Sequence, residues 1–161
     1  MPVNNNEVME PMVKYKRTGK KPAHEAVIFI VDDDVSYLHP LVFHLQRGVQ
    51  YKIYCYTNGE ECLRNMHLKP SIVILDYNLN PQLPNKLNGL DVLRQIKNMN
   101  PKTKVVMLSG RDEYKGVVDS LKLGAYTYVL KDAEALVAIK KILHTLQNEG
   151  GEGTDAITDT V

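Results

Sequence analysis

Four apolar runs of this chain end in groups that could do chemistry together. Ala26–Val31 runs into Asp32, Asp33 and Asp34; residues 72–75 run into Asp76; 104–108 into Ser109; and 126–130 into Lys131. Carboxylates a few ångströms apart repel one another, so one of them is pushed to hold a proton unless a cation joins the group. An all-oxygen donor set with room for water suits Mg²⁺, which typically uses one or two carboxylates plus a phosphate. An ammonium beside such a cation makes a receptor for a phosphoryl group. A carboxylate can also be the nucleophile and form an acyl phosphate. Asp76 stands alone at the end of its run and is the candidate for that role, with Ser109 able to donate to a phosphoryl oxygen. Taken singly, each residue has a duller explanation: aspartates after strands cap helices, as Asp34 is expected to, and a lysine after a strand is usually solvated. The conjunction at four successive run ends favours the chemical reading.

For these residues to meet, the elements between them must alternate in type. Ala26–Val31 is apolar throughout, as in a strand buried on both faces. A helix over 35–47 follows, capped by Asp34, and Pro40 inside it predicts a kink or a late start. Tyr51–Tyr56 carries Lys52 among aromatics, as an edge strand does. The pattern then predicts a short helix over 58–66, a strand over 72–75, a helix over 88–98, a strand over 104–108, a helix over 112–123 stopped by Gly124, a strand over 126–130, and a helix over 133–147 capped by Asp132. Leu136, Ile139, Leu143 and Leu146 share one face of the last helix. Five strand–helix units in series imply an α/β, doubly wound, five-stranded parallel sheet with helices on both faces and the flavodoxin-like order 2-1-3-4-5. In that order all carboxyl ends lie on one rim, with the first and third strands adjacent.

Composition sets the outer bounds. The 161 residues favour one domain, and 43% hydrophobic with 24% charged residues is ordinary globular usage. The longest apolar run has six residues, against about 20 for a membrane helix, and no secretory signal stands at the start. The expected compartment is the cytoplasm. The net charge of +1 gives no general attraction to nucleic acid or membrane. Residues 1–25 read as a flexible polar arm, 26–148 as the ordered domain, and 149–161 as an acidic, Gly-rich tail with four acidic residues and no basic one. The 13 residues after 148 leave no room for a DNA-binding domain, so output is expected through protein contacts. Two cysteines, Cys55 and Cys62, and five scattered histidines do not make a zinc site or a disulfide framework.

Residues 26–148 resemble a bacterial response-regulator receiver domain. The resemblance rests on Ile28-Phe29-Ile30-Val31-Asp32-Asp33-Asp34, Asn58-Gly59-Glu60-Glu61-Cys62-Leu63, Pro70-Ser71-Ile72-Val73-Ile74-Leu75-Asp76, Asn88-Gly89-Leu90-Asp91-Val92-Leu93, Val105-Val106-Met107-Leu108-Ser109-Gly110 and Leu123-Gly124-Ala125-Tyr126-Thr127-Tyr128-Val129-Leu130-Lys131, in family order and spacing. It implies a phosphoacceptor and not a classical enzyme, with Asp76 phosphorylated by a sensor histidine kinase or a histidine phosphotransfer protein. Asp33 would be a direct Mg²⁺ ligand, Asp32 would act largely through water, and Asp76 with the backbone carbonyl of Asn78 would complete the protein ligands. Lys131 would contact the phosphoryl group, while Ser109 and Tyr128 would be the switch pair. Phosphorylation would reshape the face of the fourth helix, fifth strand and fifth helix for a downstream protein target, and homodimerisation stays open.

Two features depart from the family pattern. Asp132 stands where Pro often follows the lysine, and the stretch from Asp76 to Gly89 is long, with its extra residues around 80–87. Competing expectations are a diverged receiver that binds a partner without phosphorylation, a haloacid-dehalogenase-type phosphohydrolase, and a flavodoxin-type flavin protein. The phosphohydrolase lacks its general acid, because Asn78 stands two residues after Asp76. The flavin reading would set phosphate against the acidic first loop.

Overall fold

The alternating runs become β1 (Ala26–Val31), α1 (Val35–Gln46), β2 (Tyr51–Tyr56), α2 (Gly59–Arg64), β3 (Ile72–Asp76), α3 (Gly89–Met99), β4 (Lys104–Ser109), α4 (Tyr114–Lys122), β5 (Thr127–Leu130) and α5 (Ala135–Glu149). This computed structural model describes residues 26–47, 51–80, 82, 83, 85–110 and 114–149. The expected arm over 1–25, the tail from 150 and the start of the fourth helix at 112 lie outside the described residues. The five strands form one sheet in the order β2-β1-β3-β4-β5, and every neighbouring pair is parallel. This is the expected doubly wound α/β sheet.

Strand side chains alternate between faces, so the sheet carries two cores. Ile28, Ile30, Ile72, Ile74, Val106, Leu108 and Val129 pack against Leu38, Leu41, Val42 and Leu45 of α1 and Ile139 and Leu143 of α5. Phe29, Val31, Val73, Leu75, Val105 and Met107 pack against Cys62 of α2 and Val92, Leu93 and Ile96 of α3. Fully burying one such aliphatic side chain contributes about 1.5–3 kcal/mol. The same alternation sets the rim: Asp76 follows the parity of Ile72 and Ile74, and Lys131 that of Val129, so both belong to the α1/α5 layer. Ser109 and Tyr128 follow Met107 and belong to the α2/α3 layer.

Element ends differ from expectation where side chains decide them. Pro40 does not delay α1, because Asp34 accepts the Ser36 and Tyr37 N–H groups and starts the helix at Val35. The second helix stops at Arg64 and not at 66. The Asn65 amide donates to the Glu61 carbonyl at 2.9 Å, and a 3₁₀ turn over Met66–Leu68 follows. The fifth helix begins two residues later than expected, since Asp132 Oδ1 accepts the Glu134 N–H at 2.9 Å in a preceding turn, and it runs one residue beyond the expected domain end. Strands β3 and β4 each include the polar residue expected to follow them, Asp76 and Ser109.

Candidate functional site

Register brings the rim residues together. Val31 pairs with Leu75 across β1 and β3, so Asp32 and Asp76 are next in line on adjacent strands. Ser109 pairs with Leu130 across β4 and β5, and the Lys131 N–H donates to the Ser109 carbonyl at 2.8 Å. Lys131 Nζ lies 2.7 Å from Asp32 Oδ2 and 2.9 Å from Asp76 Oδ1. Carboxylate oxygens of Asp32, Asp33 and Asp76 lie within 4.8 Å of one another. Asp32 and Asp76 are buried, whereas Asp33 faces solvent. Lys131 therefore reaches the cluster without a following proline, and no peptide bond among the described residues is cis.

The local sequence divides the acidic triplet by task. Asp34 caps α1, and its N–H donates to Asp32 Oδ1 at 2.9 Å. Asp33, between them, is left exposed. Asp76 accepts the Asn78 backbone N–H, and behind it Gly89 opens α3. A Cβ at Gly89 would strike the Asp76 carbonyl and come within 2.7 Å of the Tyr77 backbone, so only glycine lets α3 start this close to the loop.

Charge is crowded here. Burial, then the Asp76 charge, pushes the Asp32 carboxyl up to about 6, although Lys131 opposes the shift. Burial also raises Asp76 against the pull of Lys131. Burial by itself lowers the Lys131 pKa, but the hydrogen bonds and charges of the two carboxylates outweigh it and the net shift is upward. Three carboxylates against one ammonium leave an excess of two negative charges when all are ionised. With hard oxygen donors and one solvent-facing ligand, that excess fits a hydrated divalent cation of the Mg²⁺ type.

Ser109 is fully buried beside this cluster, and its hydroxyl is 3.4 Å from the Gly110 carbonyl. Tyr128 is half-buried and packs against the α2/α3 core, next to Met107 across β4 and β5. Asn78 lies in the turn that follows β3, its backbone N–H donating to Asp76. All the residues singled out from the sequence thus lie on the carboxyl rim, apart from Tyr128, which sits within β5. Tyr37 was missed. Its ring lies 4.8 Å from Lys131 Nζ, and the signal that could have found it is its place in the first turn of the helix covering the Asp76 side of the sheet.

The chain belongs to the response regulator receiver domain family, whose pattern matches residues 28–143. Receiver domains of this family act in two-component signalling. The alkaline phosphatase synthesis transcriptional regulatory protein PhoP of Bacillus subtilis (strain 168) is 33% identical over 105 residues, covering 65% of this chain and 41% of PhoP. The chemotaxis protein CheY of Listeria monocytogenes is 28% identical over 108 residues, covering 66% of this chain and 87% of CheY. The chain spans 41% of the length of PhoP and 27% of the transcriptional regulatory protein ZraR of Klebsiella oxytoca. Among solved structures, a CheY-like receiver domain from Methanospirillum hungatei JF-1 superposes with a TM-score of 0.68 at 24% identity, over 81% of this chain and 100% of that one, a likeness of fold. The receiver domain of NtrX from Brucella abortus does so with a TM-score of 0.63 at 27% identity, over 73% and 98%.

Proposed function

We propose that this chain is a phosphoryl-accepting switch, phosphorylated on Asp76 by a sensor histidine kinase or a histidine phosphotransfer protein. The observation that supports it is the buried Asp76 carboxylate held 2.9 Å from Lys131, with oxygens of Asp32 and Asp33 within 4.8 Å. An Asp76 oxygen attacks the phosphorus of the donor. The new O–P bond forms as the donor's bond to phosphorus breaks, and the electron pair leaves with the donor. Asp33, Asp76 and the Asn78 carbonyl would hold Mg²⁺ directly and Asp32 through water, and the ion would neutralise charge on the transferring oxygens. Lys131 turns from the Asp76 carboxylate to a phosphoryl oxygen, keeping its contact with Asp32.

Ser109 then donates to another phosphoryl oxygen, and the shift of its loop frees room for Tyr128 to turn inward, so phosphorylation acts by favouring one of two states. The face of α4, β5 and α5 carries the output to a downstream protein. Val118, Leu121, Tyr126, Leu130 and Val137 supply it with exposed apolar surface. No helix among the described residues is long and apolar enough to cross a membrane, and the cytoplasm is the compartment that fits a kinase-fed switch. Incubation with acetyl phosphate and Mg²⁺ is expected to add one phosphoryl mass to the parent and none to Asp76→Asn, with chelation of the metal abolishing labelling. An unmodified parent would instead support a phosphorylation-independent interaction module.

A further inference from the structure

The lysine of this site has a third contact that its charge partners do not explain. Lys131 Nζ lies 4.8 Å from the centroid of the Tyr37 ring while also meeting Asp32 and Asp76. We propose that Tyr37 is a positioning residue for Lys131, its ring face holding the ammonium in reach of the phosphoryl group on Asp76. The role rests on the phosphoacceptor reading above.

Three observations converge on it. The first is placement. Tyr37 sits in the first turn of α1, where its N–H meets the Asp34 side chain at 3.3 Å and the Asp34 carbonyl at 3.1 Å. Its half-buried ring packs against the α1/α5 core, the layer to which strand alternation assigns both Asp76 and Lys131. The second is need. A lysine side chain loses about 1.5–2 kcal/mol of rotamer freedom when ordered, and Asp132, not a proline, follows this one. The third is persistence. Phosphorylation converts the Asp76 carboxylate into an acyl phosphate and so alters one of the two ion pairs. A ring face is unaltered by that chemistry and can hold the ammonium before and after transfer. Among the described residues, the charges that act on the tyrosine are the Lys131 ammonium and the carboxylates of Asp32, Asp76 and Asp132, with Asp34 at its backbone N–H. The Lys131 side chain is 19% exposed, a desolvated setting in which cation–π attraction is strongest.

The test compares the full-length parent with Tyr37→Phe, Tyr37→Leu, Lys131→Met and the Tyr37→Leu/Lys131→Met pair. It reads the initial rate of Asp76 labelling by acetyl phosphate with Mg²⁺ and the NMR shift of the Lys131 ε-methylene protons. Tyr37→Phe keeps the ring and is expected within about twofold of the parent rate, with the ring-current shift retained. Tyr37→Leu is expected to label about three- to tenfold more slowly, with the shift lost. In the Lys131→Met background the leucine is expected to add nothing. A parental rate in Tyr37→Leu overturns the proposal alone. So does a Tyr37→Phe rate as low as that of Tyr37→Leu, or an equal slowing by leucine in the Lys131→Met background. A parent that takes no label on Asp76 overturns the phosphoacceptor reading first, and the positioning role falls with it.

Discussion

Asp32 and Asp33 are adjacent and chemically identical, yet the fold treats them in opposite ways. Asp33 keeps its solvent, while Asp32 is fully buried with its carboxyl pushed up to about 6. Burying a carboxylate beside another one costs more than a single ammonium returns. Asp32→Asn keeps one oxygen, enough for the Asp34 N–H at Oδ1, and gives up the Oδ2 contact with Lys131, which retains Asp76, while removing one of the crowded charges. Its metal-free form is therefore expected to be more stable than the parent by about 1–3 kcal/mol, read as a higher urea midpoint. Calorimetric titration with Mg²⁺ should show weaker binding in the same variant. A less stable metal-free Asp32→Asn would mean that the pair with Lys131 outweighs the repulsion. Asp76 was legible in the sequence because a lone acid ending an apolar run has no local structural task. Tyr37 was not, because an aromatic three residues after a helix cap looks like any core residue. Only the sheet parity and the identity of the helix covering that face reveal what the ring meets.

Among elements, strands were easier to read than helix ends. Ala26–Val31 matched to the residue, because a strand buried on both faces admits no polar interruption, and Tyr51–Tyr56 matched as well, its exposed Lys52 marking an edge strand. Helix ends answer to single side-chain hydrogen bonds, as at Asn65 and Asp132, and these depend on rotamers that no periodicity encodes. The long stretch after Asp76 was illegible for a further reason: its anchors are distant in sequence. Leu79 is buried, Asn80 adopts a left-handed φ of 51°, and the Leu87 N–H donates to Glu60 Oε1 at 3.2 Å, 27 residues away. At its far end Gly89 fits α3 against the carbonyl of Asp76. Gly89→Ala should force that helix start away from the loop, at a cost of about 1–3 kcal/mol. Because the displaced backbone carries Asp76 and Tyr77, acetyl phosphate labelling should slow as well. Parental melting and labelling in Gly89→Ala would show that the approach can relax freely.

For the whole molecule, the two cores each enclose one free thiol: Cys55 lies in the α1/α5 layer and Cys62 in the α2/α3 layer. The sheet separates them, so they report on opposite faces. Burial pushes both thiols from an ordinary 9.0 up to about 12. The folded state thus holds these protons more tightly than the unfolded chain does. Their contribution is fully present below pH 9 and is lost as pH rises from 9 towards 12. Each thiol that ionises only on unfolding steepens the loss by about 1.4 kcal/mol per pH unit. The Cys55→Ala/Cys62→Ala protein should therefore show an alkaline limb shallower by about 3 kcal/mol per pH unit in urea unfolding free energies measured from pH 9.5 to 11. Its absolute stability at neutral pH will be lower because of the lost packing, and the slope is independent of that offset. If the two layers unfold as one unit, each single variant should remove about half of the slope, and both thiols should react with a disulfide reagent in one phase at the global unfolding rate. Parallel alkaline limbs in parent and double variant would show that the thiols already ionise in the folded protein, which a sealed pair of cores does not permit.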